Sequence, residues 1–287
     1  MNAEARSPYR YRLVNVFTDE ARLSGNALAV FEDGAGLSDA EMQAIALQLN
    51  LSETTFVFPS SVATAKVRIF TPTFEMPFAG HPTLGTAHVV RELRSAGDAV
   101  TLEMRAGVIP VNARGDVWTL SANPPRTRAP DASPAEIAAM LGIDAADVRG
   151  PALWVDAGSE QLVIPLASPD AVHRCRPDPR LIAKHGSNAM REGLAYVWAP
   201  EGGGRVLARF FFLKHGSLVE DPGTGSACAN LGGWHVATKA KLPIELAVRQ
   251  GEHTGRPCRL GLRVDANEKI FVTGKVIAIG SGDIVLA

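Results

Sequence analysis

One short pattern occurs twice in this chain, and it constrains the fold more than any other feature. His81-Pro-Thr-Leu-Gly-Thr-Ala87 and Asp221-Pro-Gly-Thr-Gly-Ser-Ala227 both read [His/Asp]-Pro-x-x-Gly-[Thr/Ser]-Ala, 140 positions apart. An Arg-x-Phe segment lies upstream of each, Arg68-Ile-Phe70 and Arg209-Phe-Phe211, at an offset of 141. A weaker echo pairs Ser52-Glu53 with Ser159-Glu160 at an offset of 107, which requires an insertion. Between the two copies, residues 122–134 carry Pro124, Pro125, Pro130 and Pro134, the strongest linker signal in the chain. The expectation is a duplicated architecture with domains at 1–124 and 125–287. A length of 287 residues accommodates two units of ordinary size.

The elements predicted within each half are alike. Strands are expected at Tyr11–Phe17, Ala27–Phe31, Thr54–Phe58 and Lys66–Phe70, then at Val100–Met104, Gly107–Val111 and Val117–Leu120. Ser38 and Glu41 have capping-box spacing ahead of an apolar stripe of Met42, Ile45, Ala46 and Leu49. A second helix is expected over Pro82–Leu93, opening after Gly-His-Pro. In the other half a helix begins at Pro134 behind Ser133, and strands follow at Ala152–Val155, Gln161–Ile164, Leu194–Trp198 and Val206–Phe212. The Asp221–Gly225 turn opens a helix to about Lys239, and three strands close the chain: Ile244–Arg249, Arg259–Val264 and Lys269–Ile279. The short strands lack the β–α alternation of a doubly wound sheet. An α+β fold with two mostly antiparallel sheets, each packed on a helix, fits better. The tail Ile284–Ala287 is a candidate to cross back to the first domain.

Composition excludes several classes of function. Lys and Arg total 29 against 30 Asp and Glu, which disfavours a general nucleic-acid binder. No apolar run approaches the length of a membrane span. The polar start, with Arg6, Arg10 and Arg12, is not followed by the apolar stretch of a secretory signal, so a cytoplasmic location is expected. Cys175, Cys228 and Cys258 match neither a disulfide framework nor a zinc site. His81 and His88 stand seven apart, too far for an i, i+4 ligand pair, so no metal is expected.

The repeated turns carry the chemistry. Proline suits a helix's first turn, and glycine admits close approach of another group. Exposed N–H groups at a helix start favour an anion such as a carboxylate. Two such starts would hold a small anionic substrate in a cleft between the domains and bring His81 and Asp221 together. The alternative at this level is that each motif is only a helix start packed tightly on its sheet.

At these residues the sequence resembles the PhzF-like phenazine-biosynthesis family. The resemblance rests on Pro77-Phe-Ala-Gly-His-Pro-Thr83 and Glu220-Asp-Pro-Gly-Thr-Gly-Ser-Ala227. Val14-Asn-Val-Phe17, Ser24-Gly-Asn-Ala-Leu-Ala-Val30, Leu51-Ser-Glu-Thr-Thr-Phe56 and Gln250-Gly-Glu-His-Thr-Gly-Arg-Pro257 add to it. It implies a fold similar to diaminopimelate epimerase, with two pseudo-symmetric domains, each a sheet or barrel wrapped around a central helix. It also implies a cofactor-free isomerase, usually a homodimer, similar to trans-2,3-dihydro-3-hydroxyanthranilate isomerase. On that resemblance Glu53 is the acid/base, with His81 and Asp221 beside it. Asn26, Gly80, Thr224, Gly225 and Ser226 fall on substrate-contacting positions.

A proton shift requires a group that takes a proton and returns it, and something that stabilises the charge formed. Glu53 precedes the apolar Phe56-Val57-Phe58, so partial desolvation is expected there. Cys228 has no partner cysteine near His81 and reads as a core residue, which disfavours a two-thiol racemase. Two alternatives stay open: an amino- or hydroxy-acid racemase or epimerase of the same fold, and a non-catalytic ligand-binding relative.

Overall fold

The computed structural model describes residues 8–19, 23–190 and 193–286. Arg6 and Ala287, which figure in the readings of the two chain ends, lie outside the described residues. The chain divides into two compact units, Met1–Leu120 with Gly274–Ala287, and Ser121–Thr273.

The first unit contains β1 (Tyr9–Val16), β2 (Asn26–Phe31), α1 (Asp39–Leu49), β3 (Glu53–Phe58), β4 (Ala65–Phe70), β5 (Glu75–Met76), α2 (Gly80–Leu93), β6 (Ala99–Met104), β7 (Gly107–Arg114) and β8 (Val117–Ser121). The second contains β9 (Arg126–Arg128), α3 (Pro134–Leu141), β10 (Leu153–Asp156), β11 (Glu160–Pro165), α4 (Pro169–Arg174), α5 (Pro179–His185), β12 (Ala195–Gly202), β13 (Arg205–Lys214), β14 (Ser217–Asp221), α6 (Gly225–Ala237), β15 (Ile244–Gln250) and β16 (Cys258–Val264). The last strand, β17 (Ile270–Ile284), contributes its first residues to the second unit and the rest to the first.

In the first unit the pairings β1–β2–β3–β4–β6–β7–β8–β17 close back on β1. This ring surrounds α2, whose residues from Gly80 to Val90 are all buried. The polar residues in this buried stretch, His81, Thr83, Thr86 and His88, each make a hydrogen bond within the first unit, which lets the helix be enclosed. Gly85 lets α2 lie directly on the sheet, since a methyl group there would collide with Leu28 and Val16. This glycine therefore serves helix–sheet packing rather than the approach of a ligand.

The strand order of the second unit repeats that of the first. In each, an antiparallel pair (β1–β2, β10–β11) leads to a parallel pair (β2–β3, β11–β12). An antiparallel hairpin follows (β3–β4, β12–β13), then a second parallel pair (β4–β6, β13–β15) and two further antiparallel strands. The sheets are mostly antiparallel, as expected, with four parallel pairs set among the antiparallel ones. Parallel neighbours require a crossover, and α1, α2, α4 with α5, and α6 supply them.

The Arg-x-Phe repeat also has a physical basis. Arg68 donates through Nε and Nη2 to the two carboxylate oxygens of Glu75 on β5, at 2.8 and 2.7 Å, and its guanidinium lies 5.1 Å from the Phe70 ring centroid. Arg209 repeats this with Glu220 on β14, at 3.1 and 2.7 Å, and lies 4.6 Å from the Phe211 centroid. Each bidentate pair ties the hairpin that leads into a motif turn. Glu160, the weaker echo of Glu53, is instead ion-paired with Arg128. The proline-rich segment is partly ordered too, because β9 pairs with β10.

Candidate active site

Glu53 opens β3, at the end of the crossover from β2. The preceding helix α1 is closed at its start by the expected capping box and at its end by Asn50 in the left-handed region. Phe31 stacks on Phe56 at 4.8 Å, and Phe56 meets Phe70 edge-on at 5.6 Å, so β3 is anchored just beyond Glu53. The Thr55 and Thr86 hydroxyls, 2.8 Å apart in the core, tie β3 to α2.

That tie brings together two residues 28 positions apart. His81, in the first turn of α2, is hydrogen-bonded through Nδ1 to Glu53 Oε2 at 2.9 Å. His81 is 4% exposed and Glu53 17%. The other ring nitrogen of His81, Nε2, is buried with no hydrogen-bond partner among the described residues. A buried imidazole nitrogen in this condition is costly and is a common mark of a ligand-facing atom. Asn26, at the start of β2, is buried, and its side-chain oxygen lies 3.5 Å from the Ser52 hydroxyl, next to Glu53. Gly80 is the first residue of α2.

The second unit assembles the other predicted residues. Asp221 ends β14, Thr224 is the N-cap of α6 and Gly225 its first residue. His81 thus lies within its helix, whereas Asp221 and Pro222 precede theirs, so the expectation of proline in the first turn of both helices is met only at Pro82. The turn is held by hydrogen bonds in place of a continuing helix: Thr224 Oγ1 donates to Asp221 Oδ2 at 2.5 Å, and Gln250 bonds to both residues.

Ser226 Oγ accepts from Gln161 Nε2 at 2.8 Å. Gln161 Oε1 in turn accepts from Asn230 at 2.7 Å. These neutral amides were not legible as site residues, because lone Gln and Asn have no diagnostic spacing. For Gln250 the one available signal was the Gln-Gly pair in the 250–257 motif.

The helices α1, α3, α4 and α5 each have a side-chain N-cap, whereas α2 and α6 have none. Their first-turn N–H groups keep the capacity to bind an anion. Cys228 is fully buried in α6, and burial pushes its thiol well above the usual range, so it is not poised as a thiolate.

The chain matches the phenazine biosynthesis-like protein family, PhzC-PhzF, over residues 14–282. It belongs to that family. An uncharacterized isomerase of Pasteurella multocida is 40% identical, with 97% of this chain and 94% of that protein covered. The trans-2,3-dihydro-3-hydroxyanthranilate isomerase of Pseudomonas aeruginosa is 33% identical over 96% of this chain and 98% of its own length. A crystal structure of the Bacillus anthracis phenazine biosynthesis protein of the PhzF family shares the fold. It has a TM-score of 0.85 at 23% identity and covers 98% of this chain and all of that one. No helix among the described residues is long and apolar enough to cross a membrane.

Proposed function

We propose that this protein is a cofactor-independent isomerase that moves a proton within a small carboxylate-bearing substrate similar to trans-2,3-dihydro-3-hydroxyanthranilate. The observation that carries the proposal is the Glu53–His81 pair, 2.9 Å apart, with His81 Nε2 unpartnered among the described residues. In the proposed reaction Glu53 takes a proton from a substrate carbon. The C–H bond breaks, its electron pair enters the adjacent unsaturated system, and Glu53 returns the proton to a different carbon. His81, held through Nδ1, meets the substrate through Nε2. Asp221 binds a polar group such as an amino group, and the uncapped helix starts favour a carboxylate. Asn26, Gly80, Thr224, Gly225 and Ser226 are proposed as substrate contacts, Ser226 within its bonds to Gln161. The homodimer implied by the resemblance and the cytoplasmic location expected from the polar start belong to the same proposal, and size exclusion tests the first.

The test is incubation with trans-2,3-dihydro-3-hydroxyanthranilate in deuterated water, followed by NMR. A moved double bond with deuterium at the new carbon is expected. Inversion at a stereocentre without a moved double bond would indicate a racemase, a reading the buried Cys228 does not favour. Glu53→Gln is expected to lower the rate by about 10²–10⁴-fold with the fold intact. Full turnover in that variant would remove Glu53 from the mechanism.

A further inference from the structure

Gln250, at the end of β15, is fully buried, and its amide bonds only to the Asp221 turn among the hydrogen bonds described. Nε2 donates to the Asp221 backbone oxygen at 2.9 Å and to Thr224 Oγ1 at 2.9 Å. Oε1 accepts from the Thr224 N–H at 3.3 Å. Only one amide orientation satisfies all three, because the Thr224 N–H requires an acceptor and the Asp221 carbonyl a donor. Both amide hydrogens are then used. The Thr224 hydroxyl, having accepted one, has a single proton to give, and Asp221 Oδ2 lies 2.5 Å away. The next residue fixes the approach: Gly251 has φ +84°, and a Cβ there would collide with the Pro222 backbone oxygen. Burying a primary amide is costly unless its groups are bonded, and here every bond goes to the two residues around the carboxylate.

We propose that Gln250 is a positioning residue for the reaction, locking the Thr224 hydroxyl proton onto Asp221 and so fixing the direction and charge of that carboxylate. The proposal rests on the assignment of Asp221 to the reaction made above. Gln250 itself is not placed in contact with substrate. Gln250→Met keeps the length of the side chain and removes its donors and acceptor.

A double-mutant cycle with the dihydro-hydroxyanthranilate probe separates positioning from general structural damage. Gln250→Met is expected to lower kcat/KM about tenfold in the wild-type background but less than about twofold in the Asp221→Asn background. Equal losses in both backgrounds would overturn the proposal. A second measurement needs no turnover. The Asp221 carboxyl, followed by carbon-13 NMR and assigned through Asp221→Asn, is expected to titrate at higher pH in Gln250→Met, because the Thr224 hydroxyl, no longer held by Gln250, donates less fully to the charged carboxylate. Coinciding titrations would overturn the proposal. If the wild type leaves the probe unchanged, the proposed function fails while the titration still decides the part played by Gln250. Should Gln250→Met not fold, Gln250→Glu replaces it. Its side chain can donate only when protonated, so its activity relative to wild type is expected to rise as pH falls, and a flat ratio would count against the proposal.

Discussion

At the scale of single residues, the site depends on which atoms are left over once the protein's own bonds are made. His81 gives Nδ1 to Glu53 and has no partner for Nε2 among the described residues. His81→Phe keeps a ring in the buried position and removes both nitrogens. Proton exchange is expected to fall by about 10²–10⁴-fold, and adding Glu53→Gln is expected to lower it little further, since residues acting as a unit are not additive. Independent losses would show that the two act separately. A different buried histidine affects stability instead. Burial pushes His235 down to about 4 from an ordinary value of 6.5. Between those values the unfolded chain binds the proton and the folded chain does not. Stability therefore falls as pH drops from 6.5 to 4 and is insensitive to this group above 6.5, by roughly 2–3 kcal/mol in all. Thermal melts of His235→Leu against pH are expected to show a shallower acid-side loss than wild type.

At the scale of elements, the glycine of the first motif packs α2 on the ring. A Cβ at Gly85 would lie 2.6 Å from Leu28 and 2.9 Å from Val16, both in the core. Gly85→Ala is therefore expected to cost about 1–3 kcal/mol in urea unfolding, as overpacking does. Gly97 has nothing within 4 Å of its built Cβ, and Gly97→Ala is expected to be neutral or slightly stabilising. Equal stability of the two variants would mean that α2 has room to move off the sheet. The same scale shows what sequence could convey. The Ser38–Glu41 capping box and the Ser133 cap ahead of Pro134 were legible, because they are local patterns that the helices realise, and Glu136 completes a second box at Ser133. The helices α4 and α5 were missed although Ser168 and Asp178 cap them ahead of prolines, because six and seven residues are too few to show an apolar period. The two-residue β5 has no sequence period at all, and its place is set by the Arg68–Glu75 pair.

At the scale of the whole molecule, the repeated turns pointed to a duplication, and strand order repeats from β1–β8 to β10–β17. The parallel pairs were not legible, since partner choice is a non-local property. The Glu53–His81 bond joins residues that the motifs name individually, but its length depends on how α2 is seated in the ring. The role of β17 depends on the same ring. From Ile284 to Val276 it pairs with β1 from Tyr9 to Val16, and Gly274 lets it pass against Phe17. A chain ending at Thr273 would strip β1 of that ladder, expose the buried Val276 environment and open the ring around α2. The expected loss is at least ~3 kcal/mol, or roughly 6–12 °C in Tm for a chain of this size. A synthetic peptide with the sequence of residues 274–287, added in trans, is expected to restore part of that loss in a concentration-dependent way. A truncated chain that melts with the full-length protein would show that β1 and α2 hold without the ladder. In that case the seating of His81 against Glu53 would have to come from β3 and the Thr55–Thr86 tie alone.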